Sequence, residues 1–236
     1  MAKKSRTPPP PRKVQAPRQR AAAREGVSDA TKRWILYALA AAGLVGVVVA
    51  VVVIATAGGG GGASAAKVAQ TLRAAGCTYK VYPATSQAHV ALSAKVKYNS
   101  VPPSNGPHYG VPALWGIYTD PVRQLQAVHN LEHGGMLIEY GARVSQAQVD
   151  KITAFYNRSP DGMLVFPYAR LRNKIAFVAW TADLSQLASS RTGGYHGEGR
   201  VAICARFNEK AATAFQKAFR AKGPERFPLS ALKPGT

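Results

Sequence analysis

The feature that most constrains this chain is an apolar run of 24 residues without a charge or a proline, WILYALAAAGLVGVVVAVVVIATA, at positions 34–57. As a helix, this run would extend about 36 Å, which is enough to cross a lipid bilayer with some tilt. Lys32 and Arg33 stand directly before it, and the next cation after it is Lys67. By the positive-inside rule, the run predicts a single-pass protein of the cell membrane with a cytoplasmic N-terminus and an extracytoplasmic C-terminal part.

A cleaved signal peptide is the alternative interpretation of the same run. Ala55-Thr56-Ala57 resembles a cleavage site of small residues. The apolar core of a signal peptide usually has about 7–15 residues, whereas this run is longer and follows a leader of 33 residues. These lengths favour an uncleaved transmembrane helix, and under either interpretation the main domain is exported.

The segments on either side of the run differ in composition. Residues 1–33 are rich in proline and carry ten Lys or Arg against two acids, which is +8 of the chain's net charge of +20. Such a segment buries too little apolar surface to fold, so a disordered cytoplasmic tail is predicted. Its place beside a membrane helix favours anionic lipid over nucleic acid as its partner. Residues 58–66, GGGGGASAA, are typical of a flexible linker.

Residues 67–236 are predicted to form one exported α+β domain in which helices pack on a single mixed sheet. Helical spacing predicts helices at AAKVAQTLRAAG, SQAQVDKITAFYNRS and NEKAATAFQKAFRAKG. A further helix is predicted to start at Pro121, with Asp120 as its N-cap, and to stop at Gly134-Gly135. Strands are predicted at CTYKVYP, HVALSAKVKY, MLIEYG, MLVFPY, KIAFVAWTA and RVAICARF. The segment SNGPHYGVPALWG is dense in turn formers and is predicted to be a loop.

The two cysteines, Cys77 and Cys204, both lie in the exported part, where disulfides persist. Two cysteines are too few for a disulfide-rich scaffold or a cysteine-based zinc finger. A bond between them would close a loop of about 128 residues and stabilise the fold by about 4–5 kcal/mol on chain-entropy grounds. A pair of buried free thiols is the alternative.

Four of the five histidines lie within 45 residues: His89, His108, His129 and His133. In the stretch AVHNLEHGG, His129 and His133 are four apart, so a helix would place both imidazoles on one face, as in many zinc sites. His108 lies in a proline-rich loop, and His89 would complete the set. Because neutral imidazole is a good ligand for zinc and copper, these four histidines form the candidate metal site.

The pattern at positions 129–133 also matches the inverted zinc-protease signature H-x-x-E-H, in which Glu132 would be the general base. Two features count against hydrolysis. Gly134-Gly135 interrupts the helix at once, and a third, carboxylate ligand has no clear candidate because Glu139 falls in a predicted strand and Asp150 in a predicted helix. A zinc hydrolase is therefore the least favoured function.

A structural role for the histidines is the remaining alternative. Histidines near a helix C-terminus interact favourably with the helix dipole and bond the last carbonyls, and Glu132 would pair with Arg123 or His108. The domain would then be a non-catalytic envelope scaffold whose net charge of +12 beyond residue 33 binds anionic polymer or lipid. The sequence has no serine nucleophile elbow, phosphate loop or dinucleotide fingerprint, so an enzyme is not the favoured class.

The segments YNSVPPSNGPHYG, WGIYTDPV and AVHNLEHGGMLIEYG, in this order, resemble a bacterial family, domain of unknown function 3105. The resemblance implies the organisation of that family, in which a single membrane anchor is followed by a domain with a PP-small-x-GPH loop and a VHxLEHG motif. The resemblance covers about residues 76–220, and the matching residues are Pro102, Pro103, Gly106, Pro107, His108, Val128, His129, Leu131, Glu132, His133 and Gly134, with His89 upstream. Ser104-Asn105 and Gly135-Met136 depart from the common pattern without touching a candidate ligand. The resemblance implies a membrane location and implies no activity.

These patterns together predict a membrane-anchored extracytoplasmic domain that binds zinc or copper through its histidines. Its role would be metal handling or redox homeostasis at the cell surface, without turnover of an organic substrate.

Overall fold

A computed structural model of the chain describes residues 65–183, 186 and 196–236. The predicted tail, the apolar run and residues 58–64 of the predicted linker lie outside the described residues. Within the residues that are described, no helix is both long enough and apolar enough to cross a membrane. The transmembrane helix at 34–57 therefore stays a prediction.

The bounds of the secondary-structure elements follow the apolar segments of the sequence. The helices are α1 (described over 65–74), α2 (Gln124–Glu132), α3 (Gln146–Arg158) and α4 (Glu209–Phe219). The strands are β1 (Cys77–Pro83), β2 (His89–Val90), β3 (His108–Tyr109), β4 (Gly116–Ile117), β5 (Met136–Tyr140), β6 (Met163–Pro167), β7 (Ile175–Thr181) and β8 (Glu198–Cys204). Short 3-10 turns lie at Ala169–Leu171 and Leu229–Ala231.

Six strands form one mixed sheet in the order β1-β8-β7-β5-β6-β4, and β2 pairs separately with β3. Strands β4, β6 and β5 run parallel, whereas β7, β8 and β1 add antiparallel neighbours. The helix α3 makes the crossover between the parallel neighbours β5 and β6, as parallel pairing requires. This arrangement confirms the predicted α+β class and the mixed sheet.

Apolar clusters on both faces of the sheet explain why its central strands are continuous apolar runs. On one face, α1, α3 and α4 contribute side chains such as Leu72, Ile152 and Phe215. On the other face, α2 contributes Val128 and Leu131. Because both faces are covered, functional side chains are left to the two ends of the strands and to the loops that follow them.

The strand register defines two opposite ends of this sheet. At one end Tyr140 pairs with Ile175, Ile175 with Cys204, and Cys204 with Cys77; the two cysteines form a disulfide there, and we call this the cysteine end. At the other end β7 finishes, β8 begins and α2 turns into β5, and we call this the histidine end. A strand of seven residues separates the two ends by about 20 Å.

Three local predictions differ from the structure. Helix α2 begins at Gln124 rather than Pro121, and Arg123 rather than Asp120 occupies the N-cap, because Val122 is used for packing against the apolar cluster instead of a first helical turn. In the predicted strand HVALSAKVKY, only His89–Val90 is a strand. Apolar and polar residues continue to alternate after Val90, but no strand among the described residues pairs with that segment. The predicted loop from Ser104 to Gly116 contains β3 and the start of β4.

Candidate metal centre

Helix α2 carries the histidine pair to the histidine end of the sheet. Its apolar positions, among them Val128 and Leu131, pack on the sheet, so His129 and His133 lie away from that contact. The helix ends at Glu132, and Gly134 adopts a φ of +101°, a left-handed conformation that favours glycine. The predicted glycine stop is therefore confirmed, and the chain turns there directly into β5.

The loop that carries His108 is held by buried polar contacts. The hydroxyls of Ser100 and Ser104 lie 2.8 Å apart, and the Nδ2 of Asn105 donates to the carbonyl of Tyr82. A side chain at Gly199, on β8, would collide with Ser104 and Asn105, so the loop lies directly against that strand. His108 is fully buried beneath this packing.

Backbone carbonyls orient two of the imidazoles in the same way. Nδ1 of His108 lies 2.8 Å from the carbonyl oxygen of Gly106, and Nδ1 of His129 lies 2.7 Å from that of Tyr109. A carbonyl only accepts, so each Nδ1 carries the proton, and in a neutral ring Nε2 then keeps its lone pair. Metal-binding histidines are typically arranged like this, with the second ring nitrogen donating to a carbonyl or carboxylate.

The carboxylate of Glu132 faces this pair. Its Oε1 accepts from the Nε2 of Gln87 at 3.0 Å, and its Oε2 lies 2.9 Å from Nε2 of His108 and 3.9 Å from Nε2 of His89. The close contact with His108 lacks the angle of a hydrogen bond, and this buried Nε2 has no other partner among the described residues. A lone pair facing a carboxylate oxygen is repulsive unless a proton or a metal cation lies between them.

The first group of candidate ligands consists of His89, His108, His129 and Glu132. Each of these residues offers one ligand atom, and the four atoms lie within 4.8 Å of one another. The pairing of β2 with β3 places His89 directly opposite His108, and the ring of His89 stacks on that of His129 at 5.1 Å between centroids. His89 is exposed and the other three are buried. The structure therefore joins three of the four predicted histidines with Glu132 and leaves one side open to solvent.

A second group, His129, His133 and Glu225, shares a histidine with the first. Nε2 of His133 lies 2.9 Å from Nε2 of His129 and 3.0 Å from Oε2 of Glu225. The backbone N–H of Glu225 donates to the carbonyl of Glu132, which ties its segment to the end of α2. His133 therefore lies beside the first group instead of inside it. Glu225 was missed in the sequence because no motif marks it.

The protonation states suit metal ligands. Burial, followed by the nearby His129, lowers the pKa of His133 to about 4, and burial also lowers the pKa of His129. For Glu132, burial alone would raise the pKa, but the contacts with His108 and Gln87 outweigh it and hold the pKa below its usual value. At neutral pH the neutral imidazoles of His129 and His133 thus lie beside the ionised carboxylate of Glu132, which is the state that binds a transition metal.

The other residues weighed from the sequence lie outside these groups. Glu139 is buried in β5 and accepts from Gln124, whereas Asp150 is exposed on α3. Glu132 pairs with His108 and not with Arg123. The fifth histidine, His196, reaches the centre only indirectly, since its Nδ1 lies 3.3 Å from Oε1 of Gln87.

Fold and centre together define a mixed α+β domain with a largely buried histidine–carboxylate cluster at one end of its sheet. Residues 89–226 match the family described as Protein of unknown function (DUF3105), and the chain belongs to this family. The match spans both ligand groups, from His89 to Glu225, and agrees with the resemblance of the two sequence motifs. No curated protein and no solved structure matches the chain.

Proposed function

We propose that this protein binds a transition-metal ion, zinc or copper, through His108, His129 and Glu132, with His89 as the solvent-facing ligand. The observation that carries the proposal is the shared orientation of His108 and His129, whose Nδ1 atoms are both fixed by backbone carbonyls, which leaves the Nε2 atoms as their ligand atoms. The desolvation of the buried Glu132 is offset most directly by a cation. Three imidazoles and one carboxylate also make up a four-coordinate donor set of the kind that zinc prefers.

The choice between zinc and copper depends on the ligand types. Imidazole suits both metals, whereas a thioether would favour copper. Met136 is the methionine nearest to the motif in sequence, and it is buried in the apolar cluster on the face of the sheet away from α2. It supplies no sulfur to the centre, so the donor set fits zinc at least as well as copper.

The second group adds a position next to the first. His133 and Glu225 are more exposed than His108 and Glu132, and they contact the same His129. We assign the resident ion to the first group, because there the imidazoles are fixed by backbone carbonyls before any metal binds, and such preorganisation favours binding.

We further propose that the domain lies outside the cytoplasmic membrane, held by a transmembrane helix at 34–57 and the linker at 58–66. The support for this is the hydropathy of the run and the position of its flanking cations. In this location the metal centre would serve metal handling or redox homeostasis at the cell surface. The tail at 1–33 would contact anionic lipid on the cytoplasmic side.

A zinc hydrolase is the second candidate, because Glu225 supplies a carboxylate as the third ligand, beside His129 and His133, that the inverted protease pattern requires. Glu132 counts against it. Both of its oxygens are already engaged, one by Gln87 and one beside His108, whereas a general base needs an oxygen that reaches a metal-bound water.

The test is metal analysis of the full chain, purified in detergent without a polyhistidine tag, followed by competition against a chelator. His108→Ala should weaken the affinity for zinc by at least about 100-fold, since it removes a direct ligand. His196→Ala is the matched control, because it removes a histidine that only reaches Gln87. Glu132→Gln should also weaken metal binding. If Glu132→Gln keeps the ion and abolishes a hydrolytic activity, the protein is a hydrolase, and wild-type affinity in His108→Ala would refute the proposed centre.

A further inference from the structure

At the opposite end of the sheet, we infer a binding site for a linear phosphodiester polymer of the cell envelope, formed by Arg143, Arg170, Arg172, Lys174 and Arg206. We call these five residues and the depressions between them the basic groove. The groove lies at the cysteine end, about 20 Å from the metal centre. The inference therefore goes beyond the proposed metal function and stands without it, although it rests on the proposed location of the domain outside the membrane.

The strand register brings the five cations together from separate segments of the chain. Arg143 follows β5, Arg170 and Arg172 follow β6, Lys174 precedes β7, and Arg206 follows β8. They line two depressions with volumes of about 370 and 500 Å³, which share Arg143 and Asn173. Two lobes joined at a common wall form an elongated concave surface.

The charges of the groove have no anionic partner in the part of the chain that the structure describes. All five side chains are exposed, and within the described residues none of them forms an ion pair. No aspartate or glutamate of the described chain lines either depression. Like charges placed together repel one another in the folded protein. A bound polyanion removes this repulsion.

The backbone beneath the groove is held in place. The N–H of Gly141 donates to the carbonyl of Lys174 at 2.9 Å, and the N–H of Arg143 donates to that of Arg172 at 2.7 Å. Arg172 has a φ of +58°, which is uncommon for a residue other than glycine and is typical of functional sites. These contacts fix the Cα atoms of Arg143, Arg172 and Lys174 relative to one another.

Helix α3 adds to the positive potential. Its N-cap Ser145 and Gln148 in its first turn line one of the depressions. The first turn contains no acidic residue, and the side chain of Ser145 makes no capping hydrogen bond. The free backbone N–H groups of a helix N-terminus favour an anion.

The composition of the groove selects among anionic partners. Four of its five cations are arginine, whose guanidinium binds phosphate with two parallel hydrogen bonds. No aromatic residue of the described part of the chain lines it, whereas proteins that bind single-stranded nucleic acid usually stack its bases on aromatic side chains. Its concave shape fits a chain better than a flat bilayer. These features favour a phosphodiester chain without bases.

The test uses the full chain in a neutral detergent and a short poly(glycerol phosphate) as the probe. The triple variant Arg143→Gln, Arg170→Gln, Arg206→Gln is compared with a control of equal charge, Lys95→Gln, Lys97→Gln, Lys151→Gln, whose exposed lysines lie outside the groove. The basic tail is the same in all three proteins, so its contribution cancels in the comparison. An unchanged circular dichroism spectrum and an unchanged midpoint of thermal unfolding verify that both variants are folded.

We expect about tenfold weaker binding of the polymer in the arginine variant at about 0.1 M salt, and a change of about twofold or less in the lysine control. Amide hydrogen exchange should slow on polymer binding at 141–148 and 170–174. Equal weakening in both variants, or protection confined to other segments, would overturn the inference. Tighter arginine-dependent binding to phosphatidylglycerol vesicles or to single-stranded DNA would also overturn it and assign the groove to that partner.

Discussion

The two ends of the sheet handle charge in opposite ways. At the histidine end, the carboxylate of Glu132 is buried and lies among imidazoles that can share a cation with it. At the cysteine end, the cations of the basic groove are exposed and have no ion-pair partner among the described residues. The first arrangement fits one small ion inside the protein, and the second fits a large anion outside it. Their separation by the rigid sheet predicts that each end can be changed without affecting the other.

The largest expected effect concerns the disulfide at the cysteine end. In the variant Cys77→Ala, Cys204→Ala, the free energy of unfolding should fall by about 4 kcal/mol, because the bond joins residues 127 positions apart and restricts the unfolded chain. Chemical denaturation of the two proteins measures this difference. The comparison of the two ends requires that zinc affinity of the folded double variant stays within about twofold of wild type. A large loss of affinity would mean that the ends are coupled.

The reverse experiment changes the histidine end. His129→Ala removes the ligand that both groups share, so zinc affinity should fall by at least about 100-fold, which corresponds to about 2.7 kcal/mol. His133→Ala removes only a member of the second group and should cost less. The chelator competition described above measures both variants. Equal losses in the two would place the ion at His133 and Glu225 instead of at His108 and Glu132.

Between the two ends, β5 buries Glu139, and this residue makes stability depend on pH. Burial raises the pKa of its carboxyl to about 8, against the opposing hydrogen bond from Gln124. In the unfolded chain the group has the usual value of about 4.5. Between these two values the folded state keeps a proton that the unfolded state loses. The free energy of unfolding therefore falls as pH rises, by about 1.4 kcal/mol per pH unit from this residue.

The variant Glu139→Gln should lack this component, and its amide oxygen can still accept from Gln124. Its stability relative to wild type should therefore rise by about 1.4 kcal/mol between pH 6 and pH 7, and the gain should stop growing above about pH 8. Urea denaturation at several pH values measures the difference. A difference between Glu139→Gln and wild type that is independent of pH would contradict the prediction.

The features that could be predicted from the sequence are those that depend on residues close together along the chain. The apolar runs of β5 to β8, the amphipathic α3 and α4 and the stop at Gly134 all follow from local periodicity or from one backbone conformation. The pairing of His129 with His133 also follows, because helical spacing places them on one face. The GPH motif of the family resemblance pointed to His108 before the strand register was known.

The contacts that the sequence did not determine join distant segments. Glu225 contacts His133 only because the chain after α4 returns to the end of α2, and no motif marks that return. The basic groove depends in the same way on strand order, which places Arg143 beside Arg172 and Arg206. The overall positive charge indicated an anionic partner, but it carried no information about which end of the sheet would bind it. Both sites are therefore formed by contacts between segments that are distant in the sequence.

The smallest expected effect concerns Gln87, which supports Glu132 without being a metal ligand. Its Nε2 donates to Oε1 of Glu132, while its Oε1 lies 3.3 Å from His196. Gln87→Ala removes the group that orients the carboxylate and should weaken zinc binding by about tenfold. His196→Ala leaves that hydrogen bond in place and should change affinity by about twofold or less. If the two variants bind zinc equally, Glu132 is positioned by His108 alone. Polymer binding at the basic groove should be unchanged in both, because the whole length of the sheet separates Gln87 from Arg143.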